Sequence, residues 1–354
     1  MRPRIAFIGA GAVGGYVGGH LARLGQDVTL IDPWPEHVEA IRAHGLALSG
    51  LEPEENVTVQ VPALHLTEVQ SAFRHRPIDI AFVSVKSYDT VWAAHLVAPY
   101  LAEGGFVVSL QNCINEERIA SAVGWGRTLS MIAATISVDL YEAGKIRRTV
   151  GRGGSGRIVF AVGEVHGRIT PRLEALRDMI AGIDSVKATT NLWGERWSKL
   201  CVNAMRNPTS AATGLSGNQC DQHPQIRRFA LRIGAEAVRI GQALGYSLEK
   251  IQAMDPALLA AAGEGDLTAL ETAEATLVEN GRKAQRSDLQ RPSMAQDMAK
   301  GRKTEIDFIN GFIAAEGKKA GLPAPANAAL TEIVKRVELG EVPARPENII
   351  GINI

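Results

Sequence analysis

A glycine-rich segment near the N-terminus, lying between two apolar runs, constrains the fold of this chain more than any other feature. Residues 5–8 are apolar, residues 9–14 read Gly-Ala-Gly-Ala-Val-Gly, and a stretch without charged residues extends to residue 22. This pattern predicts a buried strand, a tight turn and a helix over residues 13–24 that is stopped by Gly25. Residues 28–31 predict a second strand, so the chain begins with a strand–helix–strand unit.

Strands and helices continue to alternate up to about residue 190. Further β segments are predicted at 57–61, 80–85, 106–110, 128–138, 146–150, 158–162 and 186–189, with helices at 36–43, 90–101 and 171–181. Buried strands separated by helices are typical of a parallel sheet that is covered on both faces. We therefore expect a doubly wound, mostly parallel α/β Rossmann domain over residues 1–190.

Helical patterns dominate from residue 191 onward, and no strand is predicted there. The expected helices cover 192–206, 226–244, an alanine-rich stretch through Leu277, and 294–320, the last of which Gly321 would terminate. The polar stretch between Pro256 and Pro292 is interpreted as loop or irregular helix. Residues 191–354 are thus expected to form an all-α domain that carries substrate contacts and dimerisation.

Composition excludes several classes of function. The 38 basic residues are balanced by 38 acidic ones, so no nucleic-acid or membrane partner is expected from bulk charge. The three cysteines form no CxxC pair and no cluster with histidine, which argues against a metal site and a disulfide framework. We expect a cytoplasmic protein without a transmembrane span that acts on a small molecule.

The glycine-rich segment matches the dinucleotide-binding pattern G-x-G-x-x-G in the structural setting that this pattern requires. Gly9 permits the tight turn, Gly11 lets a pyrophosphate approach the backbone, and Gly14 lets helix and strand pack closely. The N–H groups of the first helical turn, including those of Ala12 and Val13, would face the phosphates. A glycine-rich turn without a ligand is the alternative, but it does not explain why strand, glycines, helix and acid occur in this order.

Two charged residues follow predicted strands. Asp32 lies 23 residues after Gly9, where an acidic side chain accepts hydrogen bonds from the adenosine ribose. Because a carboxylate repels a 2′-phosphate, Asp32 favours NAD(H) over NADP(H). Lys86 follows the strand over 80–85, at the edge where open α/β sheets bind ligands. It could contact a cofactor phosphate or a substrate carboxylate, and a solvated loop lysine is an equally good interpretation.

One predicted helix carries three polar residues at a spacing of four, namely Lys199, Asn203 and Asn207. At this spacing they share one helix face, and a polar line among apolar neighbours indicates that something polar meets it. Because Asn207 precedes Pro208, we expect its side chain at a helix end or kink. In the alternative interpretation the asparagines are capping or packing residues and Lys199 extends to water.

A second polar cluster lies at residues 291–310. Ser293 and Gln296 form an S-x-x-Q capping box, which is sufficient to explain both as a helix start. Glu305 and Asp307 could likewise be exposed helix carboxylates. The residues by themselves leave the role of this cluster open.

Together these motifs resemble the ketopantoate reductase (2-dehydropantoate 2-reductase) family. Five motifs occur in the order typical of the family: the glycine segment 9–15, Ser84-Val-Lys86, Gln111-Asn112, the stretch from Lys199 to Pro208, and 293–297 with 304–311. The family reduces the ketone of ketopantoate to (R)-pantoate with NADPH. The resemblance also implies a homodimer formed through the helical domain.

The resemblance implies roles for the polar residues of the second half. Lys199 would be the catalytic acid and Glu305 its partner. Asn203 and Asn207 would bind the hydroxyl end of the substrate, and Ser293 its carboxylate. Such roles are chemically coherent, since hydride arriving at a ketone carbon leaves charge on oxygen that an ammonium can stabilise and protonate.

In the first half, the resemblance implies that Asn112 and Lys86 border cofactor and substrate, in a cleft between the domains. Three features depart from the family pattern. Asp32 stands where a basic or neutral residue is common, Cys113 replaces a glycine, and the segment 247–291 is longer than usual. The cofactor, NAD or NADP, therefore stays open.

Two other functions are compatible with these residues. An NAD-dependent dehydrogenase could act on a different small hydroxy acid with the same catalytic groups, and Asp32 favours it. A non-catalytic dinucleotide sensor could retain the Rossmann half alone, but Lys199 argues against a sensor.

Overall fold

The computed structural model describes residues 2–154, 156–283 and 292–352. These residues form two compact units: residues up to Leu192 belong to the first, and residues from Trp193 onward to the second. None of the described helices is long and apolar enough to cross a bilayer.

The first unit alternates strands and helices along the chain. Its described strands are β1 (Arg4–Ile8), β2 (Asp27–Asp32), β3 (Leu46–Ser49), β4 (Val57–Val59), β5 (Ala63–His65), β6 (Ile78–Val83), β7 (Leu101–Ser109), β8 (Thr128–Ala133), β9 (Val138–Glu142), β10 (Lys145–Arg148), β11 (Phe160–Glu164) and β12 (Val186–Thr189). Its described α-helices are α1 (Ala12–Arg23), α2 (Pro35–His44), α3 (Val69–Phe73), α4 (Thr90–Val97), α5 (Glu116–Val123) and α6 (Pro171–Ala181).

Eight of these strands form the main sheet, in the order β12-β11-β8-β7-β6-β1-β2-β5. Every neighbouring pair is parallel except β8 and β11. Because β1 pairs with β2 on one side and with β6 on the other, the strand order reverses at β1. Open parallel sheets bind ligands at such a point, beyond the carboxyl ends of the strands.

A second, four-stranded sheet in the order β4-β3-β10-β9 packs on the opposite side of α1. The sequence pattern does not predict this sheet. A Cβ on Gly18 would lie 2.7 Å from Leu30 of the main sheet, and one on Gly19 would lie 2.8 Å from Leu46 of the second sheet. Helix α1 is rich in glycine because sheets approach it closely from two sides.

The second unit is helical. Its described α-helices are α7 (Leu192–Thr213), α8 (Gly217–Gln222), α9 (Pro224–Ala243), α10 (Pro256–Gly263), α11 (Leu267–Lys283), α12 (Ser293–Ala299), α13 (Asn310–Lys319), α14 (Pro325–Glu338) and α15 (Glu347–Ile350). Within its described residues, the β-structure is limited to one isolated bridge between Ile251 and Met254. The predicted fold class, a mostly parallel α/β unit followed by an all-α unit, is confirmed.

Two predictions for the second unit are wrong. The stretch between Pro256 and Pro292, interpreted as loop or irregular helix, contains the regular helices α10 and α11, and these agree with the helix predicted through Leu277; residues 284–291 lie outside the described part of the chain. Residues 294–320 are not one helix, because α12 ends before Gly301, whose φ of +63° is incompatible with a continuing helix. A short 3₁₀ helix, Ile306–Phe308, precedes α13.

Helix α7 also differs from its prediction, since it continues through Pro208 to Thr213 and Asn207 is not at its end. Proline lacks the N–H that would bond to the carbonyl four residues earlier, that of Ala204. Here the side-chain amide Nδ2 of Asn310 donates to the Ala204 oxygen over 3.4 Å. A distant side chain thus compensates for the break that the local sequence predicts.

Candidate active site

The glycine loop joins β1 to α1 at the point where the strand order reverses. Gly9 has φ of +96°, and a Cβ there would lie 2.8 Å from the Val85 nitrogen. A Cβ on Gly14 would lie 2.1 Å from the Gly9 oxygen. Side chains at these two positions would collide with backbone, so both glycines are required for the loop to form.

Gly11 is free of such contacts. A Cβ built on it has no heavy atom within 4 Å, so the backbone there borders open space. Gly11 is also the N-cap of α1 and has no side chain with which to bond the first N–H groups of the helix, those near Ala12 and Val13. An open approach to unoccupied helix N–H groups fits the pyrophosphate of a dinucleotide.

Asp32 ends β2 beside this loop and is 8% exposed. Its Oδ2 accepts a hydrogen bond from the Ala10 nitrogen at 2.7 Å, and its Oδ1 accepts one from the Trp34 nitrogen at 2.9 Å. The role of Asp32 as ribose acceptor stays a prediction, and the structure adds a second one, that of holding the loop.

Three more predicted or motif residues follow the neighbouring strands β6 and β7. Ser84 donates from Oγ to the Gly9 oxygen at 2.8 Å. Lys86 is half-buried and precedes the 3₁₀ turn Ser87–Asp89. Asn112 is half-buried, and its carbonyl accepts a bond from Asn115 Nδ2 at 2.9 Å. Lys86 and Asn112 therefore lie at the same edge of the sheet as the glycine loop.

Cys113 is buried and has φ of +65°, in the left-handed region. This conformation favours glycine, which explains why the residue stood out as a departure in the sequence. A side chain is accommodated here at the expense of backbone strain.

On α7, Lys199, Asn203 and Asn207 lie one turn apart and span about 12 Å along the helix. Asn203 is 6% exposed, whereas Lys199 and Asn207 are half-buried. Burial raises the pKa of the Cys201 thiol, which stays protonated near neutral pH and is no candidate nucleophile. The polar face of the helix is thus the part of α7 available for chemistry.

The structure brings together two predicted substrate residues from separate segments. Nδ2 of Asn207 donates to Oγ of Ser293 at 3.2 Å. The N-cap of α12 is Pro292 and no side chain caps that helix, so the capping-box interpretation of Ser293 is wrong. The serine hydroxyl instead faces the polar side of α7.

Glu305 and Asp307 have different environments, although both were open to interpretation as exposed carboxylates. Glu305 is 5% exposed, so the exposed interpretation is wrong for it. Asp307 is exposed and forms an ion pair with Lys335 at 2.7 Å. Only Glu305 is buried enough to influence a neighbouring charge strongly.

Sequence reasoning assigned no role to a buried chain of polar groups behind α7. Asn310 Nδ2 donates to Asn327 Oδ1 at 3.0 Å, and Asn327 Nδ2 donates to Glu236 Oε2 at 2.8 Å. Glu236 also accepts from the backbone nitrogens of Ala326 and Asn327 in the first turn of α14. The one signal in the sequence was Pro208, because a proline within a helix leaves the carbonyl four residues earlier, that of Ala204, without its backbone donor.

A parallel sheet with a glycine loop at its reversal point, followed by a helical unit with a lysine–asparagine face, defines a class of two-unit dinucleotide-dependent oxidoreductases. Within the described residues, no group of three or more His, Cys, Asp or Glu side chains is arranged to hold a metal ion.

Comparison with known proteins identifies the family. The model described as "Ketopantoate reductase PanE/ApbA" matches residues 5–164, and "Ketopantoate reductase PanE/ApbA C terminal" matches residues 191–338. The chain belongs to the ketopantoate reductase family, as its motifs predicted. It is an oxidoreductase of this type that uses a nicotinamide dinucleotide.

Individual relatives agree along nearly the whole chain. The 2-dehydropantoate 2-reductase of Archaeoglobus fulgidus is 28% identical, over 95% of this chain and 98% of the relative. A family ketopantoate reductase structure from Ralstonia eutropha JMP134 has a TM-score of 0.77 at 28% identity, over 96% of this chain and 99% of the other. D-mandelate dehydrogenase with NADH and anilino(oxo)acetate has the same TM-score at 22% identity, over 95% and 98%, and shows a shared fold.

Proposed function

We propose that this protein reduces a 2-keto acid to the 2-hydroxy acid, with ketopantoate as substrate and (R)-pantoate as product. The observation that carries the proposal is the contact of Asn207 with Ser293, on the helix face that also bears Lys199. Two segments 86 residues apart converge there, and both contain residues whose roles the family resemblance implies.

A bound reduced nicotinamide supplies the hydride. When the ketone carbon receives it, negative charge develops on the ketone oxygen, and the ammonium of Lys199 stabilises this charge and donates the proton. Glu305, which is buried, is the partner that the family resemblance implies for Lys199, and its carboxylate would hold the ammonium in place. Asn203, Asn207 and Ser293 orient the keto acid through hydrogen bonds, so that the oxygen meets the ammonium.

We infer that the cofactor is NAD(H). A carboxylate stands at the end of β2, where the adenosine ribose binds in this fold, and its charge repels a 2′-phosphate. Asp32→Asn should narrow the preference for NADH over NADPH, and the ratio of the two kcat/KM values measures this. Asp27→Asn, at the exposed start of the same strand, is the matched control. A preference for NADPH in the wild type would overturn the inference.

A second candidate function is an NAD-dependent dehydrogenase of another small hydroxy acid. It is favoured by Asp32 and by the NADH-bound D-mandelate dehydrogenase of similar fold. The same residues would act in reverse, with Lys199 accepting the proton.

One assay separates the candidates. The wild type is supplied with ketopantoate or with larger 2-keto acids, such as an aryl glyoxylate, and with NADH or NADPH. We expect the highest kcat/KM with ketopantoate and NADH. A preference of more than tenfold for an aryl keto acid would favour the second candidate, and cofactor binding without turnover of any keto acid would favour the sensor.

We further expect a homodimer, supported by the similar fold of a dimeric ketopantoate reductase from Staphylococcus aureus. Light scattering coupled to gel filtration measures the mass directly, and a monomer at micromolar concentration would contradict this expectation.

A further inference from the structure

His37 in α2 is fully buried, and both nitrogens of its ring are bonded to backbone. The Gly144 nitrogen donates to Nδ1 at 2.9 Å, so Nδ1 carries no hydrogen in this arrangement. The hydrogen is then on Nε2, which lies 2.9 Å from the Ala10 oxygen and donates to it. The two bonds together define which ring nitrogen donates and which accepts.

The orientation of the ring is also fixed from its face. The indole of Trp34 stacks on it with ring centroids 5.5 Å apart and an angle of 15° between the planes. Gly144 lies in the turn between β9 and β10 of the second sheet. His37 therefore connects that sheet to the glycine loop through a single rigid ring.

Ala10 is the residue of the glycine loop at which these contacts converge. Its N–H donates to Asp32 Oδ2 at 2.7 Å, and its carbonyl accepts from His37 Nε2 at 2.9 Å. The preceding carbonyl, that of Gly9, accepts from Ser84 Oγ at 2.8 Å. Side chains from three segments of the chain thus hold the peptide groups immediately before Gly11, where the backbone borders open space.

We propose that His37 is a positioning residue for the dinucleotide: its bond to the Ala10 carbonyl holds the glycine loop in the conformation that receives the pyrophosphate. A loop that is ordered before binding loses less conformational entropy when the ligand arrives, and this raises affinity. The proposal rests on the assignment of a nicotinamide dinucleotide to this protein, and it concerns no residue of the keto-acid site.

Two near-isosteric variants separate the two bonds of the ring. In His37→Gln, the amide nitrogen takes the place of Nε2 and can still donate to Ala10, but the acceptor for Gly144 is lost. In His37→Asn, the amide oxygen takes the place of Nδ1 and can accept from Gly144, but the donor to Ala10 is lost. Each variant loses one hydrogen bond and the stacking on Trp34, so both should lower the melting temperature, His37→Asn somewhat more because its side chain is smaller.

The decisive measurement is the Kd for NADH and NADPH by isothermal titration calorimetry, in the absence of any keto acid. We expect His37→Asn to raise the Kd of the better-bound dinucleotide about fivefold to tenfold, the equivalent of about one hydrogen bond, and His37→Gln to leave it within twofold. Equal Kd values in the wild type and His37→Asn, or equal weakening by both variants, would overturn the proposal.

The wild type offers a second test that does not depend on how well a variant folds. If the loop is held before binding, hydrogen exchange at the Ala10 amide is slow in the protein without cofactor. Fast exchange that slows only when NADH is added would overturn the proposal. If the wild type binds neither dinucleotide, the assigned cofactor class fails instead, which is a different result.

Discussion

The glycine loop and the middle of α7 both lack part of the regular backbone hydrogen bonding, but they are stabilised differently. The conformation of the loop depends on its own residues: Gly9 adopts the positive φ, and Gly14 allows the close approach of the Gly9 oxygen. In α7, Pro208 breaks the hydrogen-bond ladder, and the compensating donor, Asn310, lies 106 residues from the acceptor Ala204. The loop conformation depends on glycines within the loop itself, whereas the break in α7 is compensated by a side chain from a distant segment.

The difference affects what each region can tolerate. The loop is supported by separate side chains, Asp32, His37 and Ser84, each bonded to its own backbone group. The side chains that support α7 instead form a chain of hydrogen bonds, in which Asn310 bonds to Asn327 and Asn327 bonds to Glu236. Loss of one support should weaken the loop partly, whereas loss of the last group in the chain of hydrogen bonds should affect all of it.

The largest effect is expected for Glu236→Gln. The carboxylate accepts bonds from the Ala326 and Asn327 nitrogens and from the Asn327 side chain, and an amide would turn a donor toward these donors. At least one of the three bonds is lost to an opposed donor, and the others lose their charge assistance, which together should reduce the free energy of unfolding by about 4 kcal/mol. Urea denaturation measures it, with Glu332→Gln on the exposed side of α14 as control. If the free energy of unfolding falls no more than in the control, the three hydrogen-bonded side chains do not act as one cooperative network.

A smaller effect is expected from acid on the first unit. Burial, followed by the positive charges of Arg152 and Arg23, lowers the pKa of His20 on α1 from 6.5 to about 4. Between these values the unfolded chain binds a proton that the folded chain does not, so stability falls as pH falls from about 6.5 to 4. The shift corresponds to about 3 kcal/mol.

His20→Gln should flatten the dependence of unfolding free energy on pH across that window, as urea titrations at several pH values would reveal. His95→Gln, at an exposed position, is the matched control. An unchanged slope in His20→Gln would contradict the role of His20.

The smallest effect is expected at Cys113, whose own backbone conformation is strained. Cys113→Gly removes both the strain of φ +65° and a buried side chain, so the two contributions should nearly cancel, to within about 1 kcal/mol. Cys113→Val adds a β-branched side chain to a left-handed backbone and should destabilise by about 2 kcal/mol. Thermal unfolding of the pair measures the difference; equal melting temperatures would show that the backbone there relaxes.

The same contrast explains what the sequence could reveal. The first strand–helix–strand unit follows from local pattern, and α6 and β12 have the predicted bounds, Pro171–Ala181 and Val186–Thr189. Two strands of the second sheet, β4 and β10, overlap the predicted β segments 57–61 and 146–150, but their assembly into a separate sheet was missed. The strands of this sheet are short, three to five residues, and are joined by long-range pairing of β3 with β10. Its existence depends on contacts that no local window contains.

The site shows the same limit. Spacing alone places Lys199, Asn203 and Asn207 on one face of α7. The convergence of Ser293 on that face, and the backing of Ala204 by Asn310, required the tertiary structure. His37 gave no signal at all, because its partners are backbone groups of Ala10 and Gly144.

Lys199 is proposed to deliver the proton to the ketone oxygen, while the glycine loop only holds the cofactor. Single-turnover reduction of ketopantoate by Lys199→Ala, with cofactor Kd measured on the same preparation, tests it most directly, and Lys318→Ala, an exposed lysine of α13, is the control. We expect Lys199→Ala to lower the rate of hydride transfer by about 10²- to 10⁴-fold and to leave the cofactor Kd unchanged within twofold. A rate within tenfold of the wild type would contradict it.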